Sequence, residues 1–410
     1  MITTGVTGRP WRASITEWGA IEPWDEGGAP LNWYVAADDR WHVPADEQAV
    51  RQERVEGTPV TETRVRVPNG DVVQRTHSVA DAGGLTVVQV ENESPMPVAI
   101  AFDRRDVLTE RPIVDVPIEG IDLPDSAFVL PLGHQATATI AIAHDERGSG
   151  PIPAGVSSLT QVVRGWLALT ERASRLVLPD GERGSRLAEA ITAERCEIAL
   201  GSIPRADDDP AGFALALGEL VRMGESPDPW LPELVEAVAQ LGPQPGWDAE
   251  VALHAAGRVL AVAGELRARR DLERIEASRS PSSPPPEPPG GVRSVAWLES
   301  RLAVGGALLP DGLPAEWLGQ SVEVYGVPTG PASSVSFAIR WHGERPAVLW
   351  ERTGEPIELA APVVAPDWCS SEAKGEALWP PPETAASPAS PSAAGPPPVA
   401  DPELDPGSFS

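Results

Sequence analysis

The sequence predicts a multidomain α+β fold with an N-terminal antiparallel β-sandwich, a middle α-helical bundle, a small C-terminal β domain and a disordered tail. Apolar residues alternate with a period of 2 up to about residue 150 and recur with a period of 3.6 up to about residue 278. Many of the 46 prolines lie in Ser280–Pro289 and Pro380–Pro406. We therefore expect a β-sandwich domain at 1–150, an α-helical domain at 155–278, a proline-rich linker at 279–291, a β module at 292–378 and a tail at 379–410.

Short strands joined by turns are expected in the first domain. Asn69–Gly70 separates two alternating runs and predicts a hairpin, because both central positions of that turn favour positive φ. Leu85–Glu91 and Val98–Asp103 predict a second strand pair, and Ala136–His144 predicts a further strand. Five or more antiparallel strands with turns between them are typical of a β-sandwich, here over residues 30–148.

Five amphipathic helices are expected between about Ser158 and Ala277. Asp209–Pro210 and Asp228–Pro229 each predict an N-cap followed by proline in the first turn, and Trp247 begins a further helix. Apolar residues at helical spacing occur at Leu187, Ala190, Ile191 and Ile198, at Phe213, Leu217, Leu220 and Val221, and at Leu231, Leu234, Val235, Val238 and Leu241.

The segment Ser278–Gly291 (SRSPSSPPPEPPGG) is too rich in proline to bury a core and should be extended. Beyond it, Val322–Tyr325, Val335–Trp341 and Ala347–Glu351 predict strands, with His342–Gly343 in a tight turn. We expect this β module to pack on a neighbour, because so small a β unit has a face to cover. From residue 380 the composition predicts disorder.

The net charge of −28 argues against a nucleic acid partner and against an anionic membrane. Met1–Trp11 has no apolar core typical of a signal peptide, and no window is apolar enough to span a bilayer. A cytoplasmic location is therefore expected. Cys196 and Cys369 do not form a disulfide framework and are expected to be free thiols.

No motif in the sequence identifies a reaction. The P-loop, GxGxxG, GxSxG, HExxH and EF-hand patterns are absent. No two of the six histidines are three or four residues apart. We therefore expect neither a metal nor a cofactor.

Asp228 and Asp248 are the candidate catalytic carboxylates. Each lies at a predicted helix start beside a tryptophan, Trp230 or Trp247, where a glycosidase could place its acids. The alternative, which we favour, is that both residues cap helices, because aspartate is a preferred N-cap.

Tryptophan, with 14 residues, is the positive compositional signal. Flat aromatic faces stack on sugar rings and are typical of binding surfaces. The candidate ligand-binding residues are Trp33, Tyr34, Trp41, Trp247 and Trp341. The alternative for each tryptophan is core packing, which small β units obtain from large apolar side chains.

The order of parts resembles the six-hairpin glycosidases, a superfamily that includes glucoamylase-like and rhamnosidase-like enzymes. Val322–Glu351 (VEVYGVPTGPASSVSFAIRWHGERPAVLWE) is similar to their closing β domain, and Trp166–Asp180 (WLALTERASRLVLPD) to the helix that leads from sandwich to helical toroid. The predicted helices are too few for a closed toroid, and no residue matches the family's catalytic acids. The resemblance therefore implies a shortened, non-hydrolytic relative.

Three functions follow from these patterns. The leading hypothesis is a non-catalytic cytoplasmic protein that binds carbohydrate or protein through tryptophan-rich β surfaces. The second is a glycoside hydrolase or other carbohydrate-active enzyme that uses acids such as Asp228 and Asp248. The third is a structural or interaction protein that recruits a protein partner through its proline-rich tail.

Overall fold

The computed structural model describes residues 1–23, 28–145, 148–179 and 184–382. These residues form a mixed α+β structure with mainly antiparallel sheets. The helices are α1 (Leu159–Thr170), α2 (Gly184–Ala199), α3 (Pro210–Met223), α4 (Leu231–Leu241), α5 (Trp247–Val262), α6 (Leu266–Ala277) and α7 (Arg293–Leu302). The strands are β1 (Ile2–Gly5), β2 (Arg12–Ile15), β3 (Ile21–Pro23), β4 (Trp33–Ala36), β5 (Trp41–His42), β6 (Arg51–Arg54), β7 (Thr61–Val67), β8 (Gly70–Val79), β9 (Leu85–Asn92), β10 (Val98–Phe102), β11 (Leu108–Thr109), β12 (Phe128–Leu132), β13 (Thr137–Ala143), β14 (Gly150–Pro151), β15 (Arg175–Val177), β16 (Ala303–Val304), β17 (Ala307–Leu308), β18 (Val322–Gly330), β19 (Ser333–His342), β20 (Arg345–Gly354), β21 (Leu359–Ala361), β22 (Ala365–Ser370) and β23 (Lys374–Leu378).

Two sheets of the N-terminal part share one core. The larger has the strand order β14-β11-β13-β9-β8-β7-β6 and the smaller β12-β10-β4-β5. Trp33 and Ile100 of the smaller sheet pack in the same buried cluster as Val88 and Ile140 of the larger. Alternate side chains of a strand point to one face, so each sheet contributes every second residue to this core. A third sheet, β1-β2-β3, adds Ile15 to it.

The first predicted hairpin forms, with its turn one residue earlier than expected. Val67 pairs with Gly70, so Pro68 and Asn69 are the two turn residues. Asn69 has a φ of 63°, in the left-handed region that asparagine tolerates. Gly70 is required for a different reason, because a Cβ there would lie 2.5 Å from the Cα of Ser94.

The predicted pairing of the strands at Leu85–Glu91 and Val98–Asp103 is wrong. β9 pairs with β8 and β13 in the larger sheet, whereas β10 pairs with β4 and β12 in the smaller. The buried side chain of Asn92 explains the crossing, since its amide donates to the carbonyls of Met96, Leu132 and Gly133. These bonds fix the connection between the sheets, so the chain does not turn back as a hairpin.

Six helices, one more than expected, lie between Ser158 and Ala277 in the described part of the chain. α3, α4, α5 and α6 contribute to one apolar cluster. Asp209 caps α3 as predicted, since its side chain accepts from the N–H of Gly212. The predicted cap at Asp228–Pro229 is wrong: these residues lie in a 3₁₀ turn, and α4 begins after it.

The C-terminal part has two sheets, β15-β18-β19-β20-β23 and β16-β17-β21-β22. The three predicted strands are present and longer than expected, as β18, β19 and β20. The tight turn predicted at His342–Gly343 forms one residue later, because His342 pairs with Arg345, and Gly343 has a positive φ. β15 was not expected, because it lies in Trp166–Asp180, the segment that is similar in sequence to a linking helix. In the structure, the helix of that segment, α1, ends at Thr170. Arg175 of β15 pairs with Tyr325 of β18, so this sheet takes an edge strand from the segment between α1 and α2.

The C-terminal sheets pack on the helices. Val324 lies in one buried cluster with Ile191 of α2, Trp247 of α5 and Leu298 of α7. α7 itself occupies the place where the sequence predicted the start of the β module. The helices thus bury the apolar face of the C-terminal sheets, which would otherwise be exposed to water.

The proline-rich segment Ser278–Gly291 lacks helix and strand, as predicted, and it is held against the helices. The N–H of Ser282 donates to Oε2 of Glu250 at 2.8 Å, and the indole N–H of Trp297 donates to the carbonyl of Pro285 at 2.8 Å. Both cysteines are free thiols. No helix in the described ranges has the length and apolarity needed to cross a bilayer. The tail from residue 383 lies outside the described residues.

Candidate functional site: a tryptophan-lined groove and a buried arginine cluster

Two of the tryptophans proposed from the sequence as ligand contacts are core residues. Trp33 is 2% exposed and packs between the two N-terminal sheets, and its indole N–H donates to the carbonyl of Trp18. Trp247 is 8% exposed and lies under the C-terminal sheets. Neither ring offers a face to a ligand at the surface, in agreement with the core-packing alternative.

The other proposed aromatic residues are partly exposed and lie in two places. Tyr34 and Trp41 are on the outer face of the smaller sheet, because Trp41 pairs with Ala36, two residues after Tyr34. The indole N–H of Trp41 donates to the carbonyl of Glu119 at 2.8 Å. Trp341 is on β19, and its indole N–H donates to the carbonyl of Gln320 at 2.7 Å. The five residues proposed from the sequence therefore do not form one surface.

The two candidate catalytic acids are both exposed. Asp248 forms an ion pair with Arg293, whose Nε lies 2.9 Å from its Oδ2. The same guanidinium binds Asp209, the cap of α3, and these bonds raise the pKa of Arg293. Asp248 thereby helps to join α5 to α7, whereas Asp228 lies in the turn before α4.

A groove of about 540 Å³ lies between the β1–β2 turn and helices α2, α3 and α4. We call it the Trp230 groove. Trp230 stands at the start of α4, and its ring packs on Phe213 with the centroids 6.2 Å apart and the planes at 57°. The remaining lining residues are Gly8, Arg12, Ile198, Ala199, Gly201, Ile203, Pro204, Arg205, Ala206, Asp207, Leu220, Glu225, Glu233 and Glu236.

Charged side chains surround the aromatic side of this groove. Glu225, Glu233 and Glu236 are exposed, as is Arg205, whereas Arg12 is partly buried. Burial lowers the pKa of Arg12, and the charge of Glu197 opposes that shift. An aromatic wall with hydrogen-bonding groups at its rim is an arrangement that orients small polar ligands.

A buried network of charges lies between the helices and the C-terminal sheet. Arg195 is 2% exposed and binds two carboxylates: its Nε is 2.7 Å from Glu219 and its Nη2 is 2.9 Å from Glu299. Arg222 holds Glu299 with two parallel bonds of 2.9 and 2.8 Å, and it also donates to Glu219. Such paired bonds from one guanidinium are the strong form of charged hydrogen bond.

Both carboxylate oxygens of Glu219 and of Glu299 accept hydrogen bonds from arginine side chains. Burial alone would raise the pKa of Glu219, but the charges of Arg222 and Arg195 outweigh burial and bring it to about 2. The hydroxyl of Ser174 donates to Glu299 at 2.7 Å and accepts from Arg195 at 2.8 Å. Glu219 is therefore ionised at neutral pH, and both carboxylates are held by arginine side chains.

Sequence reasoning missed most of these residues. Trp230 was noted only as a neighbour of Asp228, and its place in a groove depends on α2 and α3. The network had one local signal, the charged pair Glu219 and Arg222 inside the apolar run of α3. Its other members, Arg195 and Glu299, are 104 residues apart, a separation that local periodicity does not connect.

No protein-family model matches this chain, and no curated protein matches it. Among the described residues, no group of three or more histidine, cysteine, aspartate or glutamate side chains is placed to hold a metal ion.

Proposed function

We propose that this chain is a non-catalytic, cytoplasmic carbohydrate-binding protein that holds a sugar in the Trp230 groove. The observation that carries the proposal is the half-buried ring of Trp230 beside a rim of carboxylates and guanidinium groups. In this proposal a β-sandwich domain, a helical domain and a C-terminal β domain act as the scaffold. The groove lies where the first two meet.

The chemistry of a sugar matches both sides of the groove. A pyranose ring has an apolar C–H face, which stacks on an aromatic ring, and an edge of hydroxyls, which bind charged groups. Phe213 packs against Trp230 and limits its rotamers, so binding costs little side-chain entropy. The resemblance in layout to the six-hairpin glycosidases supports the same ligand class.

The environment of the acids favours binding over hydrolysis. A glycosidase keeps its general acid protonated by enclosing it in an apolar or like-charged environment. Glu225, Glu233 and Glu236 are instead exposed to water. Exposed carboxylates serve well as hydrogen-bond acceptors for sugar hydroxyls, and this is the role we assign to them.

Isothermal titration calorimetry of the full chain with a panel of maltooligosaccharides and other neutral glycans tests this function. We expect Trp230→Ala to weaken binding by about tenfold or more, since loss of an aromatic stacking partner costs about 1–3 kcal/mol. Trp18→Ala is the matched control, because Trp18 is 37% exposed and lies outside the groove.

Two results would contradict the proposal. Binding to no glycan of the panel, or equal affinity in Trp230→Ala and the parent, would remove the groove as a carbohydrate site. Hydrolysis of an aryl-glycoside that is lost in Asp248→Asn would replace the binding function with the hydrolase alternative.

A further inference from the structure

A second cavity, of about 290 Å³, lies where α3 and α5 meet the turn between β18 and β19. We call it the arginine cavity. Arg172, Arg222 and Arg258 line it together with the hydroxyl residues Ser333, Ser334 and Thr353, and its other lining residues are Ala173, Val221, Val262, Gly326, Pro328, Gly330, Pro331, Ala332 and Gly354. The described lining contains no carboxylate, in a chain with a net charge of −28.

The arginines at the cavity are not all held by carboxylates. Glu219 and Glu299 pair with Arg195 and Arg222, so two carboxylates face two guanidinium groups. Arg258, on α5, is the third arginine of the cluster. Its Nε is buried and has no hydrogen-bond partner among the described residues. Arg258 therefore brings to the wall of the cavity a guanidinium that no described carboxylate holds in an ion pair.

Three carboxylates, those of Glu219, Glu299 and Glu276, influence the charge of Arg258 without forming an ion pair with it in the described ranges. Oε1 of Glu276 lies 3.8 Å from Nε2 of His254 and has no hydrogen-bond partner among the described residues. Burial and then the charge of Arg222 lower the pKa of Arg258 to about 10, so the guanidinium is still charged at neutral pH. Arg258 is half-buried, and a partly desolvated guanidinium without an ion-pair partner destabilises a fold unless a ligand completes the site.

We propose that the arginine cavity binds a small tetrahedral oxyanion, either inorganic phosphate or the phosphoryl group of a small monoester. Arg258 supplies a guanidinium with no described ion-pair partner, the exposed Arg172 also lines the cavity, and the hydroxyl of Ser333, which accepts from Thr329, is left to donate. The hydroxyls of Ser334 and Thr353 are bonded to each other at 2.7 Å, so one proton of that pair is left to donate as well. Guanidinium groups are the preferred partners of phosphate because they donate several bonds in a fixed plane. A volume of about 290 Å³ is at the small end of ligand sites and suits a small anion.

This site does not depend on the Trp230 groove. The groove is lined from α2, α3 and α4, whereas the arginine cavity is lined from α3, α5 and the C-terminal sheet. A protein that fails to bind glycans could therefore still bind an oxyanion in the arginine cavity, and a protein that fails to bind oxyanions could still bind a glycan in the Trp230 groove.

Calorimetric titration of the full chain with inorganic phosphate, glycerol phosphate and acetate, at constant ionic strength set with chloride, tests the proposal. We expect phosphate or glycerol phosphate to bind and to raise the thermal unfolding temperature, and acetate to do neither. The stronger of the two phosphates identifies the source of the anion. Arg258→Met is expected to weaken binding by about tenfold or more, and Arg172→Gln by about threefold or more.

A structural role for Arg258 makes a different prediction. If Arg258 only supported the fold, Arg258→Met would lower the unfolding temperature of the ligand-free protein; we expect it to stay the same or rise, because an unpaired charge is removed. Arg172→Gln keeps the test decisive even if Arg258→Met fails to fold, since Arg172 is exposed. Arg164→Gln, an exposed arginine of α1 outside the cavity, is the matched control.

Three results would overturn the proposal. These are no binding of either phosphate at millimolar concentration, equal binding of acetate, and equal losses of affinity in Arg172→Gln and Arg164→Gln.

Discussion

At the scale of single residues, burial decides what each charged side chain can do. Asp228 and Asp248 are exposed, so water surrounds both. Glu219, at 4% exposure, has exchanged water for two guanidinium groups. A buried carboxylate without such partners would take up a proton, whereas this one is held ionised. The free energy of unfolding therefore depends on Glu219 in a way that pH can reveal.

We expect Glu219→Gln to lower the free energy of unfolding at pH 7 by about 3 kcal/mol, the equivalent of its pKa shift. The folded pKa of about 2 lies below the ordinary value of 4.5, so the stabilisation is complete above pH 4.5 and is lost as pH falls towards 2. Denaturant unfolding of both proteins across this range measures the difference. Glu344→Gln, at an exposed position in the β19–β20 turn, is the control. A constant difference from pH 5 to pH 2 would contradict the assignment.

At the scale of elements, the N-terminal sheets and the helices meet through close backbone packing. The 3₁₀ turn Val55–Gly57 lies against α2, and Arg54 beside it forms an ion pair with Glu197 of that helix. A Cβ on Gly57 would lie 2.3 Å from the backbone carbonyl oxygen of Glu189. Backbone atoms cannot move aside as the end of a flexible side chain can, so this position admits only glycine.

Gly57→Ala is therefore expected to destabilise the protein by about 2 kcal/mol more than Gly155→Ala, which has a similar positive φ and open space around it. The comparison cancels the cost of the left-handed backbone and leaves the cost of the clash with α2. Chemical denaturation monitored by circular dichroism measures both variants. Equal destabilisation of the two would show that the turn and α2 do not pack as described.

At the scale of the whole molecule, the helices and the C-terminal sheets share a buried core. β15 precedes most of the helices yet pairs with β18, and Ile191 and Trp247 lie in the core of the C-terminal sheets. Arg222 adds a bond from α3 to the carbonyl of Gly326 in β18. The helices and the C-terminal sheets share this core and the ionic network. We therefore expect that local unfolding of one would expose buried residues of the other.

Native-state hydrogen exchange should accordingly give similar opening free energies, within about 1 kcal/mol, for the slowest amides of α3 and β18. Glu299→Gln is expected to lower both values together, because Glu299 binds Arg195 and Arg222. Glu344→Gln should lower neither. Amides of β18 that open several kcal/mol more easily than those of α3 would show that the C-terminal sheets unfold independently.

The sequence by itself determined the type and rough position of the helices up to Ala277 and of several long strands, such as β8, β13 and β19. Periods of 2 and 3.6 report which side of a strand or helix avoids water, and that information is local, as are the cap at Asp209 and the turn at Gly343. Tertiary structure alone decided that β9 and β10 belong to different sheets and that β15 joins β18. It also brought Arg195, Glu219 and Glu299 together from three helices and left Nε of Arg258 without a hydrogen-bond partner among the described residues. The physical reason is that strand pairing and buried ion pairs depend on contacts between residues that are far apart in the chain. The local pattern of apolar residues does not indicate those contacts.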